Sequence, residues 1–341
     1  MSAHPSSAPA RRRRLSWFPI VILLLGGVAL AVLFLQPEME RNLLLFSSMA
    51  VLLVVGILNL LWFLITPRFS WRMKLAGLAV VAVLLAGLKF SVRVDGTARG
   101  TGLPRLAWRW SAKPPLLTTP TLSPAVPEAA PGDPARLAQA AEVPEFNGIA
   151  RTGALPETTI APDWTTSPPR ELWRQAIGTG WSAFAVVGGR AYTQEQRGED
   201  ELVTCYDLLS GRLVWAHSDK AKFSQWQSGD GPHATPTVVD GKVFTYGGTG
   251  LLNCLDAATG QPVWQRSVLQ ENNLANLEWG ISASPLVVDG LVIVTGGNTT
   301  GPVLFAYQTA TGAPAWKAGN DRATYASPQL STLAGKRVIL C

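Results

Sequence analysis

Few side chains in this sequence have the spacing of a catalytic or metal site. Of the three histidines, His4 lies in an arginine-rich tail and His217 follows a tryptophan, which leaves His233 as the one candidate. No two of them are spaced as metal ligands are. The sequence has no G-x-S-x-G motif, P-loop or dinucleotide-binding glycine pattern. We therefore predict no metal site and assign no catalytic residue.

The cysteines and aspartates are better explained by structure than by chemistry. Cys205 and Cys254 occupy the same position of an internal repeat, where a third copy has Ala306. This equivalence favours small buried residues over redox chemistry, and Cys341 has no such context. The remaining carboxylates of the repeat are interpreted as turn residues: Asp207, Asp240, Asp256 and Asp289.

The repeat is the strongest pattern in the chain. Residues 235–264 and 284–316 share a proline, V-V-D-G, G-G, A-T-G and a final tryptophan, residues 183–215 are a looser copy, and a fourth copy starts at Ser327. Each copy predicts four short strands, with D-G at the first hairpin turn. Four-stranded units repeated about every 50 residues are typical of β-propeller blades. A solenoid repeat would be shorter or helical.

These copies resemble the tryptophan-docking blades of the pyrroloquinoline quinone (PQQ) propeller superfamily, whose signature is roughly A-x-D-x-x-T-G-x-x-x-W. Here the signature runs over residues 205–215, 254–264 and 306–316, with Gln308 in place of one aspartate. The resemblance implies that the final tryptophans pack between blades. They are Trp215, Trp264 and Trp316, and Trp173 in P-R-E-L-W resembles the last strand of a further blade.

This superfamily includes PQQ-dependent alcohol dehydrogenases. For a chain of that kind, the resemblance implies a cofactor in the central channel, with calcium, an aspartate base and two adjacent cysteines. This sequence has no adjacent cysteine pair. No cofactor is evident, and PQQ with calcium is expected only if the protein is an enzyme.

One repeat position varies in a way that a binding surface would. Three residues before the proline of the first strand the copies have His233, Ser282 and Tyr325, and the looser copy has Trp181. With Trp279, and with Trp226 and Glu278 nearby, these side chains are candidates for the mouth of the channel. Neutral drift would produce the same variation. The segment 194–201 (Q-E-Q-R-G-E-D-E) is interpreted as a solvated turn.

The N-terminal quarter predicts a membrane anchor. Uncharged runs at 17–35 and 43–65 are long enough to span about 30 Å of hydrocarbon, and a shorter run at 75–88 spans only if flanking basic side chains snorkel. The loop at 66–74 has three basic residues, whereas the loop at 36–42 has one, so the N-terminus is predicted to be cytoplasmic. No signal-peptidase site follows the first run.

Charge and proline content divide the rest of the chain. Residues 1–90 hold 9 basic and 2 acidic side chains, whereas residues 91–341 hold 20 and 21, which disfavours a nucleic-acid partner. Of the 25 prolines, 13 lie between residues 104 and 170, as expected for an extended tether. A recognition segment for a proline-binding partner is the other interpretation of this stretch.

The sequence thus predicts an all-β, PQQ-like propeller of four-stranded blades behind a three-span α-helical anchor. The predicted parts are a basic tail (1–16), the anchor (17–90), a proline-rich linker that leads into the propeller (91–170) and a partial propeller (171–341). Because about three blades and the start of a fourth are present, we expect a longer protein.

We expect a multi-pass protein of the bacterial inner membrane, with the propeller in the periplasm. Its expected role is a non-catalytic scaffold that binds an envelope protein or a small ligand. The alternative is a PQQ-dependent alcohol or sugar dehydrogenase linked to membrane quinone. A sensor coupled to another protein is a third possibility, although only Asn59 is polar enough within the spans to suggest transport.

Overall fold

The structure is a computed structural model that describes residues 17–36, 41–97, 104–112, 142–155, 162–225, 228–297 and 301–341. It contains two compact units, one formed by residues 1–93 and 106–110 and the other by residues 94–105 and 111–341. The arginine tail, most of the proline-rich linker and Trp226 fall outside the described residues.

Three long helices make up the first unit: α1 (Trp17–Phe34), α2 (Arg41–Ile65) and α3 (Trp71–Ser91). By length and composition all three are able to cross a membrane. The third helix is longer than the uncharged run 75–88, because it includes the flanking basic residues. Its N-cap is Ser70, whose side chain accepts a hydrogen bond from Met73 N over 3.4 Å. A two-stranded sheet of β1 (Val92–Thr97) and β2 (Pro104–Trp108) follows.

Three four-stranded antiparallel sheets dominate the second unit, and in each the strands are ordered as they occur in the chain. Blade 1 consists of β3 (Ala185–Val187), β4 (Arg190–Arg197), β5 (Asp200–Asp207) and β6 (Leu213–Asp219). A small sheet of β7 (Ser224–Gln225) and β8 (Gly229–Asp230) follows it.

Blade 2 consists of β9 (Thr237–Val239), β10 (Lys242–Tyr246), β11 (Leu251–Asp256) and β12 (Pro262–Ser267), and is followed by the short helix α4 (Val268–Glu271). Blade 3 consists of β13 (Leu286–Val288), β14 (Leu291–Thr295), β15 (Leu304–Gln308) and β16 (Pro314–Ala318). Strands β17 (Gln329–Leu333) and β18 (Lys336–Leu340) pair in the same way, and we call this pair blade 4. The predicted incomplete propeller of four-stranded blades is confirmed.

The first hairpin of the blades has the turn that the D-G pairs predict. Asp240 and Gly241 have φ angles of 49° and 69°, and Asp289 and Gly290 have 51° and 73°. Positive φ at both central residues defines the type I′ turn, whose twist matches that of the flanking strands. The first strands of neighbouring blades lie side by side, β3 next to β9 and β9 next to β13. The unpaired edge of each first strand is called its inner edge below.

Large buried side chains fill the space between the blades. Phe244, Tyr246, Leu252, Val292 and Tyr307 belong to one cluster shared by blades 2 and 3. The Tyr246 hydroxyl, fully buried, donates to the carbonyl oxygen of Thr295 over 2.9 Å, so its polar atom has a partner.

The interpretation of segment 194–201 as a solvated turn is wrong. Strands β4 and β5 run through this segment, and only Gly198 and Glu199 form the turn between them. Glu195 is fully buried and accepts hydrogen bonds from Arg197 at 3.1 Å and from the Tyr206 hydroxyl at 3.0 Å. Charged side chains are rarely buried unless they are paired. Glu195 is paired here, because Arg197 and Tyr206 lie next to it on the same sheet.

Candidate functional site

The tryptophans of the repeat link each blade to the next one. The Nε1 atoms of Trp173, Trp215 and Trp264 donate over 2.8, 3.0 and 3.0 Å to carbonyl oxygens at one equivalent repeat position. The acceptors are Leu208, Ala257 and Thr309. An indole buried between two sheets removes a large apolar area from water, and this hydrogen bond satisfies its polar atom.

A glycine in the next blade makes room for each ring. A Cβ atom at Gly211, Gly260 or Gly312 would collide with the indole packed against it, and all three glycines have φ near 70°. Aspartate side chains close the turns before Gly211 and Gly260: Asp256 Oδ1, for example, accepts from Thr259 N and Oγ1 at 2.8 and 2.7 Å. These hydrogen bonds hold the pKa of Asp256 below its ordinary value.

Trp173 and Trp316 sit at the two ends of this series. Trp173 lies over Gly211 although residues 171–178 form no strand. Trp316 packs against the core cluster of blade 3, as do Leu330 and Ile339 of blade 4. The arrangement of these tryptophans is architectural, and it positions the loops where the candidate binding residues lie.

The structure brings the predicted channel-mouth residues together in pairs. His233 Nδ1 lies 3.2 Å from Ser282 Oγ. The rings of Trp279 and Tyr325 stack at 5.2 Å with an interplanar angle of 23°, and Trp279 N donates to the Tyr325 hydroxyl over 3.2 Å. Trp181 lies apart from these pairs, and its backbone N–H donates to Pro232 O over 2.9 Å.

The two pairs differ in exposure. Trp279 is 42% exposed, Tyr325 37% and Trp181 53%. Three aromatic rings therefore face solvent shortly before the first strands of the blades, which we call the inner strands. His233 is half-buried and packs edge-on against Phe223, with ring centroids 5.9 Å apart. Burial lowers the pKa of His233, so this position disfavours a charged ring.

Serine and threonine side chains just before the inner strands connect the blades, and the sequence analysis did not assign them a role. Thr235 N donates to Ser284 Oγ, and Ser284 N donates to Ser327 Oγ, both over 2.9 Å. These residues share one repeat position, directly before the proline of the first strand. The recurrence of a hydroxyl residue at this position could have indicated these hydrogen bonds, because each N–H donates to the hydroxyl of the following blade.

Residues 142–151, within the predicted linker, lie along the inner edges of the blades, and we call them the inner-edge segment. Val143 forms a β-bridge with Val186 of β3, and Pro144 O accepts from Val238 N of β9 over 2.8 Å. Arg151 reaches carbonyl groups of blades 3 and 4. The sequence analysis missed this packing because a proline-rich composition predicts an extended tether.

The blades offer a channel cofactor no evident ligands in the described residues. The inner edges of β3 and β9 bond instead to the inner-edge segment. Within the described ranges, no three histidine, cysteine, aspartate or glutamate side chains converge on a point that could hold a cation. The buried thiols lie in different blades, Cys205 in β5 and Cys254 in β11. No reaction step is therefore derived through PQQ.

The fold and its docking tryptophans define a PQQ-like β-propeller repeat protein. A family model described as "Outer membrane protein assembly factor BamB" matches residues 199–341. The predicted resemblance to the PQQ-like propeller repeats is confirmed over this part of the chain, which is less than half of it.

Solved structures with similarity to this chain include two dehydrogenases and a BamB protein. The quinohemoprotein alcohol dehydrogenase from Comamonas testosteroni is 25% identical, covers 42% of this chain and 21% of its own, and has a TM-score of 0.34. A europium-containing methanol dehydrogenase is 23% identical, with 42% and 25% covered and a TM-score of 0.32.

BamB from Moraxella catarrhalis is 22% identical, covers 41% of this chain and 36% of its own, and has a TM-score of 0.28. This chain thus spans between about a fifth and about a third of the length of these three structures. No curated protein sequence matches it.

Proposed function

We propose that this protein is a membrane-anchored, extracytoplasmic PQQ-like propeller that acts as a protein-binding scaffold of the bacterial envelope. The observation that carries the proposal is the exposed, stacked pair of Trp279 and Tyr325 at the start of the inner strands. Exposed tryptophan and tyrosine rings held rigidly by hydrogen bonds and stacking are the usual anchors of protein interfaces.

The covered inner edges support a scaffold over an enzyme. A small substrate or cofactor would need a channel with converging polar groups, whereas the inner-edge segment occupies that position. The aromatic rings of Trp181, Trp279 and Tyr325 lie on loops, where a partner can reach them without displacing any strand.

The three apolar helices support the membrane part of the proposal. Each is long enough to span the hydrocarbon core. With Arg68, Arg72 and Lys74 near the loop between α2 and α3, this loop is proposed to be cytoplasmic and the propeller to lie in the periplasm.

Site-specific photocrosslinking tests the binding surface. A benzophenone amino acid at position 279 in the full chain, in native membranes, is expected to give one or a few discrete adducts. The matched control is position 263, because Val263 on β12 is 47% exposed but lies away from the loops. Adducts of the same pattern from both positions, or none from position 279, would overturn the proposal.

A further inference from the structure

The inner-edge segment binds the blades as a peptide ligand would. Val143 N donates to Val186 O over 2.9 Å, Val186 N donates to Val143 O over 2.8 Å, and Pro144 O accepts from Val238 N. These bonds satisfy backbone groups on the unpaired edges of β3 and β9. Addition of an extended segment to an exposed edge is the general mode of peptide recognition by sheets.

Arg151 extends the same contact to the next two blades. Its guanidinium donates to Ser284 O at 3.2 Å, to Pro328 O at 2.7 Å and to Pro285 O. Its Nε donates to Glu145 Oε2 over 2.7 Å, and the whole residue is only 5% exposed. A planar group with five donors and no acceptor is suited to a cluster of carbonyl oxygens, which an ammonium group would match less well.

The backbone of the inner-edge segment adopts a shape that its own sequence does not favour. Ala150 and Arg151 have φ angles of 56° and 57°, although neither is glycine or asparagine. Left-handed backbone costs about 1–2 kcal/mol for a residue with a Cβ. The contacts with the blades must offset this cost, so the shape is imposed by the site rather than by local preference.

We propose that the inner edges of the blades form a binding site for an extended peptide with an arginine seven residues after its edge-pairing proline, and that residues 142–151 are its resident ligand. The edges of β3 and β9 take the extended part, and the carbonyl oxygens of Ser284, Pro285 and Pro328 take the guanidinium. The proposal goes beyond the scaffold function, because it concerns the inner edges and not the exposed aromatic loops.

Since the ligand is tethered, it competes at a high effective concentration with any free peptide. Weakening the tethered ligand should therefore open the site. The experiment uses the full chain in detergent and a fluorescent peptide of residues 142–153. Arg151→Ala is the opening variant, and Arg174→Ala is the control, because Arg174 is exposed and pairs only with the nearby Glu171.

We expect the peptide to bind the Arg151→Ala chain at least about tenfold more tightly than the wild-type or Arg174→Ala chains. A peptide with alanine in place of its arginine should bind the opened chain at least tenfold more weakly. Equal affinity of the peptide for the two variants, or equal affinity of the two peptides for the opened chain, would overturn the proposal. Either result would leave the crosslinking test at position 279 unaffected.

Hydrogen exchange in the wild-type chain decides the matter if the Arg151→Ala chain does not fold. The amides of Val143, Val186 and Val238 should exchange together, faster than that of Phe244 at the centre of blade 2, as the inner-edge segment detaches. Exchange of all four amides only through global unfolding would show that this segment is not a separable ligand, and the proposal would fail.

Discussion

The indole ring of Trp215 in blade 1 lies directly on Gly260 of blade 2, and its Nε1 donates to Ala257 O three residues before that glycine. Trp264 and Gly312 repeat the relationship between blades 2 and 3. The junctions between blades 1 and 2 and between blades 2 and 3 thus share the same contact, in which an indole ring packs on a glycine and donates one hydrogen bond.

Gly260→Ala should destabilise the propeller strongly. The new Cβ would meet the Trp215 ring at about 2.5 Å, at a φ of 72°. We expect the free energy of unfolding to fall by about 3 kcal/mol, from overpacking together with left-handed backbone. Urea denaturation followed by tryptophan fluorescence measures the change.

Gly241→Ala is the matched control, because Gly241 has a φ of 69° but no atom within 4 Å of an added Cβ. This variant should lose only about 1 kcal/mol, the cost of left-handed backbone alone. Equal losses in the two variants would contradict the tight contact between Trp215 and Gly260.

Stability should decrease as the pH rises through neutrality, because of Glu201. Burial raises the pKa of this carboxyl to about 7; the hydrogen bond from Gly248 N lowers it and the charge of Asp219, opposite on β6, raises it. The folded state therefore keeps a proton that the unfolded state has lost. The stabilisation that this proton provides is complete below the unfolded pKa of about 4.3, and it is lost as the pH rises through 7.

Glu201→Gln should remove this dependence. The free energy of unfolding of the wild type, relative to this variant, is expected to fall by about 2–3 kcal/mol between pH 5 and pH 8. The control is Glu199→Gln in the exposed turn next to it. A difference between wild type and Glu201→Gln that stays constant over this range would mean that the carboxyl is not protonated in the folded state.

The three thiols should differ sharply in reactivity. Cys205 and Cys254 are fully buried, and burial raises their pKa values to about 12 and about 11, whereas Cys341 is exposed. Because the thiolate is the reactive form, a maleimide should label one thiol in the native protein and three in denaturant. Mass spectrometry of the labelled chain should place the native label on Cys341; rapid labelling of Cys205 would contradict the described core.

Reporter fusions test the predicted orientation of the helices. Alkaline phosphatase fused after residue 112 should be active, since three crossings would place it in the periplasm, and a fusion after residue 70 should be inactive. Activity of the fusion after residue 70 would contradict the predicted orientation of the helices.

The blades could be predicted because their signals are local. The D-G pairs set the type I′ turns, and short runs of β-branched and other apolar residues set strands such as β10 and β14. The helices were predictable for the same reason. The ends of α3 differed most, where Arg72, Lys74 and Lys89 continue the helix beyond its uncharged centre.

Two kinds of residue were missed. Arg151 binds carbonyl groups 133 and 177 residues later, which no local pattern around it indicates. Glu195 was interpreted as solvated because a run of charges usually is, but Arg197 and Tyr206 pair with it inside blade 1. The role of the mouth residues stays a prediction, and only the structure shows that Trp279 stacks on Tyr325.

Whether this propeller is a scaffold or a quinoprotein enzyme is tested most directly by titrating the purified full chain with PQQ and calcium while recording the cofactor spectrum. The inner-edge segment covers the channel side of the blades, so we predict no saturable spectral change and no alcohol-dependent dye reduction. Stoichiometric binding of PQQ that requires calcium, with dye reduction on addition of an alcohol or a sugar, would contradict the account.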